Sequence, residues 1–137
     1  MPADFTIYTD QKLVFSFGWD AVTFADVINH RSRLVEDTRF CIDFRQIIDF
    51  THVTSMELSN SQIQSLANQR VFAPISRRAL VTASSLQFGL SRVFQAYSEG
   101  QNISIFHGLD EAVEWVDVPI EAVKKALIEL LSKHGFA

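Results

Sequence analysis

Cysteine is nearly absent from this chain. Cys41 stands alone among 137 residues, so no disulfide can form within it. Proline and glycine are also scarce, at three and five residues, which excludes collagen-like and Pro/Gly-rich low-complexity classes. Nowhere do about 18 apolar residues run together, the length a helix needs to cross a bilayer core, so no membrane span is expected. A basic block is missing too: 12 Lys and Arg stand against 16 Asp and Glu, for a net charge of −4. Nucleic-acid binders draw most of their affinity from neutralising phosphates. Here the only adjacent basic pairs are Arg77-Arg78 and Lys124-Lys125, so nucleic acid is not an expected partner. Met1-Pro2-Ala3-Asp4 carries neither the basic nor the apolar block of a signal peptide, and a cytoplasmic location is the expectation.

What is present is a large apolar complement, 47% of residues, with 12 Phe among them. A chain of this length fits one domain and buries roughly two-thirds of its unfolded surface, enough for a core without metal or disulfide.

Apolar spacing divides the chain into ten elements. Phe5 and Ile7 alternate with polar neighbours, Thr9-Asp10-Gln11 reads as a turn, and Leu13 to Phe17 reads as a second strand ended by Gly18. Asp20 is the expected N-cap of a first helix carrying Phe24, Val27, Ile28, Arg31, Leu34 and Val35. Phe40-Cys41-Ile42 and Phe44 suggest a strand buried on both faces, with Cys41 a small interior hydrophobe. Thr54 and Glu57 have capping-box spacing, with Val53 and Leu58 as a staple, before a helix facing inward through Met56, Ile63, Leu66 and Ala67. After Pro74, Ala79-Leu80-Val81 gives a further strand. Ser84 or Ser85 then caps a helix with Leu86, Leu90, Val93, Phe94 and Tyr97, closed by Gly100. Ile103 to Phe106 forms the last strand, before a short helix around Asp110 to Trp115. A final helix spans about 119–134, with Pro119 in its first turn and Gly135 as its C′ residue. Glu121 with Lys125, and Glu129 with Lys133, have the spacing of helical ion pairs. The order β-β-α-β-α-β-α-β-α-α predicts an α/β fold, a single mixed and mostly parallel five-stranded sheet with an extra C-terminal helix.

Several local strings in this order resemble the SpoIIAA-like family, a branch of the STAS superfamily that includes anti-sigma-factor antagonists. They are Arg39-Phe40-Cys41-Ile42-Asp43-Phe44-Arg45, Arg77-Arg78-Ala79-Leu80-Val81, Phe88-Gly89-Leu90-Ser91-Arg92-Val93-Phe94, and Phe106 followed by Asp110-Glu111-Ala112-Val113-Glu114-Trp115. The resemblance covers about residues 4–116 and leaves the last helix outside. It implies a βα superhelix and a bacterial cytoplasmic protein, and it implies no reaction. STAS antagonists carry a phosphorylated Ser in an Asp-Ser-Ser-Gly string. The corresponding stretch here, Asp49-Phe50-Thr51-His52-Val53-Thr54-Ser55-Met56, has no such string. Thr51, Thr54 or Ser55 could take a phosphate only by virtue of position near a helix start.

Open α/β sheets bind ligands beyond the carboxyl ends of their strands. On this reading that edge holds Arg45, Asp49, Thr51, His52, Thr54, Ser55, Thr82, Ser84, Ser85 and His107. Helix capping and turn formation explain the same Ser, Thr and Asp residues without any ligand. No catalytic constellation is visible, and neither a metal site nor a cofactor is expected: the four His are far apart, and no Gly-x-Ser-x-Gly elbow or phosphate loop occurs. Gly89, inside a predicted helix, is expected to permit close helix–strand packing. The final helix has two open readings, a cover for the sheet or a homodimer contact. The expected function is a non-enzymatic regulatory or protein-interaction module whose partner meets the face near Asp49 to Met56. The alternative is a carrier for a small apolar ligand or lipid, its pocket lined by Phe.

Overall fold

The computed structural model describes residues 2–136. Strands β1 (Ala3–Tyr8), β2 (Leu13–Thr23), β3 (Arg45–Glu57), β4 (Arg77–Val81) and β5 (Asn102–Phe106) form one sheet in the order β1-β2-β3-β4-β5. β1 runs antiparallel to β2 across the Thr9–Lys12 turn, and the remaining neighbours are parallel. The helices are α1 (Phe24–Glu36), α2 (Asn60–Asn68), α3 (Ser85–Tyr97), α4 (Leu109–Val116) and α5 (Ile120–Lys133). This is the mixed α/β sheet expected from the element order.

Side chains alternate along each strand, so the sheet has two faces of different chemistry. One carries Leu13, Phe15, Phe17, Ile47, Ala79 and Val81, all buried against α4 and α5. α4 lies on β3, β4 and β5, while α5 lies on β1 and β2. The stripe of α5, with Val123, Ala126 and Leu130 buried, therefore covers the sheet of its own chain. The other face carries Val14, Ser16, Gln46, Ile48, Arg78 and Leu80 toward α1, α2 and α3.

Several boundaries differ from the sequence reading. β2 does not stop at Gly18; it continues to Thr23 through two register shifts, with Asp20 in the left-handed region at φ 54°. A Cβ at Gly18 would meet Val53 Cγ2 at 3.1 Å, a tight contact that the Val53 side chain would have to yield to. The α1 cap is Thr23, not Asp20, in a capping box with Asp26. The Phe40–Phe44 stretch is not a strand. It is a turn whose Phe40 and Phe44 anchor in a small cluster with Phe72, while Cys41 is exposed and Ile42 is 62% exposed. Backbone bonds within the turn (Phe44 N–H to the Cys41 carbonyl, 3.0 Å) take the place of a ladder. Thr54 and Glu57 likewise belong to β3; α2 is capped five residues later by Ser59 with Gln62, using the same box chemistry. Pro119 is the N-cap of α5 rather than its first helical residue. At the other end, Gly135 at φ 81° is the C′ residue, with Gly135 N–H on Ser132 and Phe136 N–H on Leu131, a Schellman closure.

α5 is tied to β1 rather than to itself. Lys133 pairs with Asp4 at 2.9 Å, not with Glu129, and Glu129 accepts the Tyr8 hydroxyl. Lys125 lies over the Tyr8 ring instead of reaching Glu121. Asp4 also receives Arg33 of α1 and His134. Burial alone would raise this carboxyl, but the bonds from Lys133, His134 and the Phe5 N–H outweigh it and hold it at about 2.

Candidate functional site

The residues expected at one sheet edge do not converge. Arg45 opens β3 and so lies at the opposite, amino end, donating to the carbonyls of Val116, Asp117 and Gln11. Its misplacement follows from the Phe40–Phe44 turn, which delays the strand by several residues. Asp49 is buried and accepts both the Thr51 N–H (2.8 Å) and the Thr51 hydroxyl (2.6 Å). His52 Nδ1 lies 3.3 Å from the Thr51 hydroxyl, and its ring packs against Phe17 and Phe136. Thr54 and Ser55 sit within β3, so the helix N-terminus that would favour a phosphate is not beside them. Ser84 caps α3 by accepting Gln87 N–H, Ser85 begins that helix, and His107 stacks on Phe88 at 5.2 Å. Thr82 is buried against the Phe106 carbonyl. Among the described residues, no group of three or more His, Cys, Asp or Glu is placed to hold a metal ion.

Polar side chains gather instead on the inner face of the sheet, beneath α1 to α3. Three are buried within strands: Ser16 on β2, Gln46 as the second residue of β3 and Arg78 as the second residue of β4, with Gln46 and Arg78 opposite one another in the ladder. Arg78 Nε donates to Gln46 Oε1 at 3.1 Å, and Gln46 Nε2 donates to Ser16 Oγ at 3.1 Å. Ser16 Oγ lies 3.0 Å from His30 Nε2 of α1. A guanidinium can only donate, so it fixes which end of the Gln46 amide faces it. The Ser16 hydroxyl, already accepting from Gln46, has its own proton for His30. Desolvation, reinforced by Arg33 and Arg31, pushes His30 down to about 4. His30 is thus a neutral acceptor at neutral pH, and the whole chain of donors runs in one direction from Arg78. So depressed a histidine is a weak base, which makes Ser16–His30 a poor nucleophile–base pair.

Around this row lies a cavity of about 130 Å³. Its floor is Ser16, Gln46, Ile48, Arg78 and Leu80, and its roof is Leu34 of α1, Leu66 of α2, and Leu90, Ser91 and Phe94 of α3. Met56 and Leu58 close one side, Val71 and Phe72 another. It exists because α3 turns small and polar residues inward. Gln87 and Ser91 are buried, whereas Leu86, expected on the apolar stripe, is 59% exposed. Gln87 is held by donating to the Val53 carbonyl and accepting from Ala83 N–H. Gly89 does not serve close packing: it is exposed, and a Cβ there would meet nothing within 4 Å.

Two arginines border the cavity. The Arg78 guanidinium lies over Phe72, with its Cζ 4.5 Å from the ring centroid, and Arg31 donates to the carbonyls of Leu66 and Gln69 at the end of α2. Burial pushes Arg78 down to about 9 and Arg31 to about 10, so both remain charged at neutral pH. The sequence reading missed this site. The available signal was one polar residue at an inward position of each of three neighbouring apolar strands, Phe15-Ser16-Phe17, Gln46-Ile47 and Arg78-Ala79.

No protein-family model and no curated protein matches the chain. Among solved structures, it is similar to an uncharacterised protein of the DUF3478 family with a SpoIIAA-like fold from Shewanella loihica PV-4. The identity is 19%, the TM-score 0.59, and the match covers 83% of this chain and 93% of that one. The resemblance in the strings and the match in three dimensions agree: the chain has a SpoIIAA-like fold. Among the described residues, no helix is long and apolar enough to cross a membrane.

Proposed function

We propose that this chain, built on the SpoIIAA-like fold, is a non-enzymatic binding domain for a small apolar ligand. The carrying observation is the cavity under α1 to α3, predominantly apolar apart from one polar row, Arg31 and Ser91. Protein interiors are normally packed as densely as organic crystals, so a partly open pocket of this size reaching between sheet and helices is a feature to be explained. Pockets lined by apolar side chains with a few convergent polar groups are what small ligands occupy.

The test is calorimetric titration with medium-chain alcohols such as octanol. Saturable one-to-one binding is expected, with stabilisation of about 2.7 kcal/mol at a ligand concentration 100 times Kd. Leu90→Trp, which places an indole in the cavity, should abolish binding while circular dichroism is unchanged. Equal binding to that variant would place the ligand elsewhere and sink the proposal.

A second reading, protein interaction, rests on the far half of β3. β4 pairs with β3 only from Gln46 to Asp49, so the edge from Phe50 to Glu57 has no strand neighbour on that side. Thr51, His52 and Thr54 are exposed along it; Gln87 takes the Val53 carbonyl and Asp49 the Thr51 N–H, and an edge without a strand neighbour beyond those two bonds can accept an added strand. Replacing Thr54 with Pro should weaken a strand-adding partner and leave cavity binding intact.

A further inference from the structure

The cavity's charge narrows the chemistry of what it holds. The ion pairs among the described residues engage Arg33, Arg39, Lys133 and His134; none engages Arg78 or Arg31. Arg78 is 6% exposed and spends Nε on Gln46, yet no described group accepts from its two terminal nitrogens. Those nitrogens are not sealed inside protein either. Gln101 Nε2 is the sole fully buried side-chain nitrogen or oxygen without a partner among the described residues, and Arg78 lines the cavity. Arg31 and Arg78 both lie over the Phe94 ring, at 5.9 and 5.8 Å, so two cations share one end of the space.

A buried charge is tolerated when it is paired, and an unpaired one is costly. The donor chain through Gln46, Ser16 and His30, together with Phe72 beneath, holds the Arg78 fork in one orientation with its outer edge free. That edge is the part of a guanidinium that matches a carboxylate by two parallel N–H···O bonds. The rest of the lining is predominantly apolar, and a void of comparable size, about 150 Å³, is known to hold benzene. We propose that the ligand is a small monocarboxylate with an apolar body, of medium-chain or single-ring size. Its carboxylate takes the terminal nitrogens of Arg78 and its hydrocarbon lies against Ile48, Leu80 and Leu90. This rests on the cavity reading above and adds the headgroup to it.

The experiment compares octanoate, octanol and octylammonium on the full chain at neutral pH by calorimetry. Octanoate should bind at least about tenfold more tightly than octanol, the worth of one charge-assisted contact. Octylammonium should not bind. The net charge of −4 opposes octanoate, so non-specific attraction cannot produce this ranking. Arg78→Met, close in volume, should erase the preference by weakening octanoate and sparing octanol. Should that variant fail to fold, the three-ligand ranking on the unaltered protein carries the test alone. Equal affinity for octanoate and octanol would overturn the carboxylate while leaving the cavity reading intact; binding of none of the three would overturn both.

Discussion

The two faces of the sheet use the same strands to opposite ends. Toward α4 and α5, Leu13, Phe15, Phe17, Ile47, Ala79 and Val81 are sealed from solvent and meet Val113, Val116, Val123 and Ala126, with Asp49 a buried polar residue in register between Phe17 and Val81. Toward α1, α2 and α3, the neighbouring positions on those strands carry Ser16, Gln46 and Arg78, and the helices stand off far enough to leave a cavity. Dispersion and the removal of apolar surface from water stabilise the first face. The second forgoes part of that stabilisation to keep an oriented cation within an apolar wall. One face holds the fold together, and the other has room to bind.

The sharpest way to break this comparison is to truncate equivalent side chains on each face. Phe15→Ala should cost about 3–5 kcal/mol, because it opens a void in a filled layer. Leu90→Ala, already facing the cavity and half-buried, should cost about 1–2 kcal/mol, since little packing is lost there. Urea denaturation of both variants measures the gap, and equal losses would remove the distinction between the faces.

Acid separates the faces next. His30, on the cavity side, has its folded pKa lowered from 6.5 to about 4. The unfolded chain therefore takes up that proton first, and stability falls as pH drops from about 6.5 toward 4, by about 3 kcal/mol in full. His30→Gln should flatten this stretch of the stability–pH curve. Asp4, on the α5 side, is lowered from 3.8 to about 2. Its contribution of about 2 kcal/mol is fully present above the unfolded value and is lost as pH falls through 3.8 toward 2. Asp4→Asn should remove it at neutral pH, and chemical denaturation at pH 7 would detect the loss. Two separated acid phases are expected, the cavity side weakening first.

The smallest expected effect lies on the cavity's roof. Gly89 is exposed in mid-helix with open space where a Cβ would sit, so Gly89→Ala should stabilise by about 0.5–1 kcal/mol in thermal unfolding. A loss instead would mean that the flexibility of α3 matters to its seating over the cavity.

Period-two and helical spacing were enough to give the order of strand and helix types, because burial of one face imposes those periods on the sequence, but the third strand was placed on a turn. Boundaries were less legible where two segments carry the same local chemistry. Thr54 with Glu57 and Ser59 with Gln62 both spell a capping box, and only the pairing of β2 with β3 as far as Glu57 selects the second. Asp20 reads as a cap until the register shifts of β2 put it in a left-handed bend. The run Phe40-Cys41-Ile42 reads as a strand because hydrophobicity does not say whether two Phe anchor a turn or line a ladder.

By itself, then, the sequence determined the order of strands and helices and the end signals at Ser84 and Gly135, which are governed by interactions between residues a few positions apart. The meeting of Ser16, His30, Gln46 and Arg78 in one row, and the two cations sharing Phe94, was decided only by the stacking of separate strands and helices. Those contacts join residues 14 to 63 positions apart. No local rule encodes such distances, because strand register and helix standoff arise only when the layers close on one another.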